Sequence, residues 1–433
     1  QELHYPDSLG LLYSAVTYHC GFRVNSGEHK LMGLAPYGSP RFLPVLLDEV
    51  VLLRDDGSFT LDQRFFDYVG GLTMTNTRFS ARFGGPPRAP ESPITTRELD
   101  LARSVQALCE EIVLRMARTA HRVTGLDAIC IAGGVALNAV ANGRLQREGL
   151  FRHVWVQPAA GDAGGALGAA LLAAHRYFDA PREIAGGDTM RGARLGPSFA
   201  PDACEAELAA LGAVVHRLEE APLLDRTAAL LAAGQVIGWF DGPMEFGPRA
   251  LGGRSILADP RDPAMQRRLN MRIKFREDFR PFAPSVLAER ASQWFDLTDD
   301  SPYMLVVSPV SQARRVTPPA SAPTEGLAQL DVARSTIPAV THVDGTARVQ
   351  TVARETAPRF HALLQAFERL TGCPMLVNTS FNVRGEPIVC TPSDAYACFM
   401  RTDIDALVVY PFLVLRAEQP DDPSGWQRAG SDD

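Results

Sequence analysis

Ala128-Ile129-Cys130-Ile131-Ala132-Gly133-Gly134-Val135-Ala136-Leu137-Asn138 decides the fold class. The continuous apolar run reads as a parallel strand buried on both faces. The glycine pair reads as a tight turn, and Val135 to about Arg147 as a helix. The same order returns at once. Val154-Trp155-Val156 is a strand, Gly161-Asp162-Ala163-Gly164-Gly165 a glycine turn, and the stretch to Tyr177 a helix. Strand, glycine turn and helix in repetition predict an α/β protein.

Upstream, Arg97 to Val123 predicts a long amphipathic helix. Its apolar residues Leu101, Val105, Leu108, Ile112 and Met116 recur at helical spacing. Leu9 to Cys20 predicts another helix, and the Gly-, Pro-, Arg- and Thr-rich residues 70–96 a long loop. Downstream, a second α/β unit starts near Pro201, with strands at Val214-Val215 and Val236–Phe240 around a helix over Leu223–Ala233. The expected domains are 1–185 and 200–416, joined by a linker over 186–199. A mobile loop is expected at 311–330 and a disordered polar tail over 417–433.

Composition narrows the function. The 433 residues predict two or three domains, and 46% hydrophobic with 21% charged residues is a globular balance. No run of eighteen apolar residues occurs, so no membrane span or membrane partner is expected. The first residues have neither a basic start nor an apolar core, so a secretory signal is not expected. Seven scattered Cys without a Cys-x-x-Cys pair predict a reducing cytoplasm and no disulfide framework. A net charge of −7 and a pI near 5.8 argue against nucleic acid as the partner.

Both glycine turns offer helix N-termini that attract phosphate, or are simply tight connections. Asn138 is placed to reach a nucleotide or to stand as a surface polar group, and Asp162 to cap a helix or to ligate a cation. Further on, Phe246-Gly247-Pro248-Arg249-Ala250-Leu251-Gly252-Gly253-Arg254-Ser255 is rich in Gly and Arg, and Arg272, Lys274, Arg276 and Arg280 follow. Arg280 lies among Phe279, Pro281, Phe282 and Pro284, which predicts partial burial. It then needs an anionic ligand or an internal partner, Asp241, Glu245 or Asp278. Arg suits carboxylate or phosphate oxygens, and Lys274 offers a compact point charge. Arg348 lies in another polar stretch. Asn378-Thr379-Ser380-Phe381-Asn382 follows an apolar run and reads as ligand-binding polar groups or as turn chemistry. His342 and His361 are read as structural. No His-x-x-x-His pair, Walker A loop or Gly-x-Ser-x-Gly elbow occurs.

Five segments in order resemble the NodU/CmcH carbamoyltransferases: Glu28-His29-Lys30-Leu31-Met32-Gly33-Leu34-Ala35-Pro36-Tyr37-Gly38, residues 132–138, 247–252, Arg280-Pro281-Phe282-Ala283-Pro284-Ser285, and 378–382. The resemblance spans about residues 8–416. It implies a Kae1-like part of the actin–hexokinase–Hsp70 superfamily, which transfers a carbamoyl group, followed by a YrdC-like part. The latter makes carbamoyl-adenylate from ATP and carbamoyl phosphate. By that resemblance Arg249, Lys274, Arg280, Arg348, Asn378 and Ser380 line the adenylate-forming site. Lys30, Gly133, Gly134 and Asn138 face the nucleotide in the transfer site, and Asp162 is an iron ligand. ATP, Mg²⁺ and Fe²⁺ are the implied cofactors, and a hydroxylated small molecule or glycan is the acceptor. The family pattern also includes an N-terminal lobe with a His-x-x-x-His pair and a further Asp. This sequence lacks that lobe, so a fragment with an incomplete transfer site is expected. Competing readings are a threonylcarbamoyl-adenylate enzyme serving tRNA, a non-catalytic nucleotide-binding subunit, and a sugar kinase.

Overall fold

The computed structural model describes residues 2–183 and 186–420. The chain folds as two units: 1–157 with 318–332 and 342–344, and 158–317 with 333–341 and 345–433.

The first unit contains α1 (Leu9–His19), α2 (Glu28–Leu34), α3 (Leu43–Val45), β1 (Val51–Leu53), β2 (Phe59–Leu61), α4 (Thr77–Arg82), α5 (Thr96–Thr124), β3 (Ala128–Ile131), α6 (Ala139–Arg147) and β4 (His153–Val156). Its axis is α5. A capping box starts the helix, with Glu98 accepting from the Thr95 backbone N–H at 2.8 Å and from its hydroxyl at 2.6 Å. Gly125, with φ 64°, ends it in the left-handed conformation. Leu101, Val105, Leu108 and Ile112 are buried along one face, as the spacing requires.

Three expectations change here. The stretch 70–96 is not all loop, because Asn76 caps α4 through the N–H groups of Arg78 and Phe79. The helix expected from Val135 is a 3₁₀ turn over Gly134–Leu137 that restarts as α6 at Asn138. Strands β3 and β4 pair in parallel, Cys130 opposite Trp155, but they are not buried on both faces. Trp155 is 40% exposed and Cys130 is also exposed. An apolar run encodes strand, but burial depends on what packs against it.

The second unit contains α7 (Asp162–Leu172), α8 (Pro201–Ala210), β5 (His216–Arg217), α9 (Glu220–Ala232), β6 (Ile237–Phe240), β7 (Arg254–Ala258), α10 (Met265–Arg268), β8 (Ala283–Leu287), β9 (Val306–Pro309), β10 (Thr346–Val352), α11 (Pro358–Thr371), β11 (Met375–Ser380), α12 (Pro392–Met400), β12 (Ala406–Val409) and β13 (Phe412–Leu415). Nine strands form one sheet in the order β5-β13-β12-β6-β7-β11-β8-β10-β9. The pairs β12/β6 and β10/β8 are parallel and the others antiparallel, so the α/β class holds with a mixed sheet. All of β6, β7 and β12 is buried. Trp239, Phe360, Phe367 and Tyr396 are among the large side chains buried in its core.

The strand expected at 214–215 lies two residues later, at β5. The stretch expected as a linker is pinned by backbone bonds: Phe246 N–H to the Ala193 carbonyl at 2.7 Å, Gly196 N–H to Met244 at 2.9 Å, and Met244 N–H to Pro197 at 2.9 Å. Ile184 and Ala185, at the end of the first expected domain, lie outside the described residues. Within 311–330, Arg314 lies over the Trp294 ring at 3.8 Å, and Leu327–Asp331 forms a 3₁₀ turn. The tail does not start at 417, because Gln419 is buried and bonds Val214 and Tyr396. Residues 421–433 of the expected tail lie outside the described residues. Among the described residues no helix is long and apolar enough to cross a membrane.

Candidate active site

Side chains two apart on a strand share a face. On β10 these are Arg348 and Gln350, and on β11 they are Asn378 and Ser380. Strand β8 runs between them, with Gln350 opposite Ser285 and Asn378 opposite Ala283. The result is a polar layer within an apolar sheet. Ser285 Oγ donates to Gln350 Oε1 at 2.5 Å, and Asn378 Nδ2 donates to Ser285 Oγ at 2.9 Å and Gln350 Oε1 at 3.1 Å. Buried networks of this kind specify one arrangement of their surroundings.

The arrangement they hold is the loop before β7. Asn378 Nδ2 also donates to the Ala250 carbonyl at 3.2 Å, and Gln350 Nε2 to that of Leu251 at 3.0 Å. The Gly252 carbonyl accepts from Trp239 Nε1 and from Arg194, each at 2.9 Å. Gly252 itself has φ 98°, and a Cβ there would lie 2.3 Å from Phe360 Cδ1, so only glycine fits. Arg249 projects from this loop. Neither Arg249 nor Arg348 donates a hydrogen bond to a described residue, and Nε of each is buried without a partner.

The remaining cations come from the segment after α10. A π-type turn over Leu269–Ile273 leads into Lys274 and then Phe275, a non-glycine residue at φ 46°. Strained backbone of this kind persists where surrounding structure over-determines it. The Lys274 ammonium is buried and faces four acceptors: Ser380 O at 2.6 Å, Ser380 Oγ at 3.1 Å, Asn382 O at 2.8 Å and Asn382 Oδ1 at 2.6 Å. Its donors are engaged in pinning the turn after β11, which draws in Ser380 and Arg384. Buried Asn270 donates to the carbonyls of Asp278 at 3.0 Å and Arg280 at 2.9 Å, and accepts from Arg276 Nε at 2.7 Å. Arg276 also stacks over Phe282 at 4.8 Å.

Arg280 lies 3.7 Å from Glu277, three residues back across a turn, an acid the sequence reading did not name. Asp241 is taken by Arg359. Glu245 accepts backbone N–H groups of its own loop.

The electrostatics identify these groups as one site. Burial pushes Arg348 well below the usual guanidinium range, and the fields of Arg249, Arg276 and Arg280 push it further. Burial lowers Arg249 to about 10. Arg276 and Lys274 are lowered by burial and then by neighbouring arginines, and Arg280 by burial and by Arg384. Among the described residues, Glu277 is a carboxylate that opposes this effect at Arg276 and Arg280. Cations that disfavour one another in a recess are each stabilised by an anion brought among them.

Of the expected site residues, Arg249, Lys274, Arg280, Arg348, Asn378 and Ser380 thus come together. Arg276 and Ser285 stand in segments quoted above, but the resemblance assigns neither them nor Arg384 and Gln350 to the site. The two-residue spacing of Lys274 with Arg276, and of Arg348 with Gln350, was the available signal. Arg194 had none.

The first unit treats its candidates differently. Gly133, with φ 103°, and Gly134 have open space where a Cβ would stand, so a ligand can approach their backbone. Lys30 lies 5.8 Å from the Phe22 ring centroid. The Asn138 amide is engaged, accepting from Ala141 N–H at 3.0 Å and donating to Gln106 at 2.9 Å. In the second unit, Asp162 heads α7 as an exposed residue. Among the described residues no group of three or more His, Cys, Asp or Glu side chains could hold a metal ion. The residues present therefore do not fit an iron site, and no step is derived through iron. His361 faces Glu289 at 3.0 Å, in keeping with a structural role.

Two family models match the chain. Residues 1–171 match the family model "Carbamoyltransferase N-terminus" and residues 228–416 match "Carbamoyltransferase C-terminus". The chain is 54% identical over 422 residues to the uncharacterised protein sll1178 of Synechocystis, covering 97% of this chain and 69% of that protein. It is 40% identical over 428 residues to the nodulation protein NolNO of Sinorhizobium fredii, covering 98% of this chain and 57% of the relative. It is also 40% identical over 420 residues to the nodulation protein NolO of Bradyrhizobium diazoefficiens, covering 96% and 70%. The chain thus spans between 57% and 70% of the length of these relatives. It belongs to the NodU/CmcH family of carbamoyltransferases.

Proposed function

We propose that the second unit forms carbamoyl-adenylate from ATP and carbamoyl phosphate, and that the protein passes the carbamoyl group to a hydroxyl of a small molecule or glycan. The observation that carries this reading is the recess in which Arg249, Arg276, Arg280, Arg348 and Arg384 gather, with Glu277 beside Arg276 and Arg280. Water first releases phosphate from carbamoyl phosphate and leaves carbamate. A carbamate oxygen then attacks the α-phosphorus of ATP, the bond to the pyrophosphate oxygen breaks, and pyrophosphate leaves. Negative charge grows on the leaving pyrophosphate, where fixed guanidinium groups stabilise it without reorganising. Mg²⁺ accompanies ATP in this scheme.

The test is ATP–pyrophosphate exchange that depends on carbamoyl phosphate, measured beside Arg280→Ala. Exchange in the unsubstituted chain that falls at least ~10-fold in the variant is expected, given the strength of charge-assisted hydrogen bonds. A folded chain without exchange refutes the assignment of adenylate formation to this unit.

A further inference from the structure

Arg249 owes its direction to a loop held by side chains, and one of these is an acid close to a site built for anions. Glu245 is buried. Its Oε1 accepts from the N–H groups of Leu251 at 2.6 Å and Gly253 at 2.7 Å, and its Oε2 from Arg254 N–H at 3.1 Å. A Cβ on Gly253 would lie 2.9 Å from Oε2, so the backbone wraps closely around the carboxylate. The field of the carboxylate also reaches the neighbouring Arg254, but the hydrogen bonds of that side chain go elsewhere. That guanidinium lies over Phe240 at 3.5 Å and donates to the carbonyls of Gly242 at 2.9 Å and Pro197 at 3.2 Å. Glu245 therefore acts on backbone.

We propose that Glu245 is a positioning residue: by gathering the N–H groups of 251, 253 and 254 it closes the loop that aims Arg249 at an anionic ligand. This rests on reading the recess as a polyphosphate site. Two effects of removing the carboxylate oppose one another. Deleting a negative charge near a cationic recess strengthens anion binding by charge alone. Loosening the loop weakens binding, because a guanidinium contributes only when it is held in place. The sign of the change therefore separates positioning from simple electrostatics. Gln at 245 keeps the shape but turns one acceptor into a donor that faces a backbone N–H.

The experiment uses the full chain with inorganic pyrophosphate as the probe, and Glu245→Gln, Arg249→Ala and the double variant, each checked for cooperative unfolding. Calorimetry should show pyrophosphate binding weakened ~10-fold in E245Q, with the double variant no weaker than R249A alone, the non-additivity expected of residues acting as a unit. Binding in folded E245Q that is unchanged or tighter overturns the proposal, as do losses that add in the double variant. Absence of binding in the unsubstituted chain refutes the polyphosphate reading itself, and this proposal with it. Failure confined to the cycle leaves that reading standing. Should E245Q unfold, Glu245→Asp, which retains the charge but draws it back by one methylene, carries the same cycle.

Discussion

The loop before β7 in the second unit and the turn after β3 in the first are both glycine turns joined to strands, yet they are built on opposite terms. Around Gly252 the peptide groups are met by Asn378, Gln350, Trp239 and Arg194, and Phe360 fills the space where a Cβ would stand. Around Gly133 and Gly134 the space is open and the adjoining strands are partly exposed. In the first case glycine is required by what the protein puts there. In the second the backbone is accessible to whatever approaches. Glycine-rich sequence alone does not separate the two.

The sharpest test substitutes Ala at each position. Gly252→Ala combines a positive φ with a collision against a buried ring and should cost about 4 kcal/mol, read by urea unfolding. Gly133→Ala meets only the backbone penalty, about 1–3 kcal/mol. Similar losses would abolish the contrast.

The two candidate lysines make a smaller comparison. Lys274→Met leaves buried acceptors at Ser380 and Asn382 and should destabilise by about 3 kcal/mol. Lys30→Met removes a cation near the Phe22 ring, for less than about 1 kcal/mol. A Lys274→Met protein of unchanged stability that no longer binds pyrophosphate would move Lys274 from pin to ligand.

A further contrast is a pH dependence carried by His19 of the first unit. His19 is fully buried, with Nδ1 3.1 Å from Thr75 Oγ1, and burial lowers its pKa from 6.5 to about 4. The unfolded chain thus binds the proton more tightly. Stability is complete above pH 6.5 and is lost as pH falls toward 4. Between pH 7.5 and 5 the loss should be about 2 kcal/mol, and His19→Gln should flatten the profile. A slope unchanged by that substitution would assign the dependence elsewhere.

Much of this was legible in the sequence where the signal is local. Leu101 to Ile112 gave α5 through spacing, and the apolar runs at 128–132 and 236–240 gave β3 and β6. Arg249 and Arg280 stood out as guanidinium groups among Gly, Pro and aromatic residues, and Arg348 as a cation within a polar stretch. Long-range pairing was not legible. Nothing in Ala193 or Pro197 announces a backbone partner near Met244, so a Gly- and Pro-rich stretch reads as spacer. An acid beside Arg280 is Glu277, three residues back across a turn, and choosing it over Asp241, Glu245 or Asp278 requires the fold. Trp155 and Cys130 look like core because apolar character shows in sequence and coverage does not.

The segment over 190–197 bears on how the protein can be divided. A piece that starts at Pro201, where composition marks a boundary, retains every strand of the nine-stranded sheet. It loses Arg194, whose guanidinium donates to the carbonyls of Asp241 and Gly252, and the backbone that Met244 and Phe246 bond to. Such a piece keeps its hydrophobic interior but lets go of one wall of its own pocket, so inheritance of the site by any shuffled or excised unit requires the apparent spacer to travel with it.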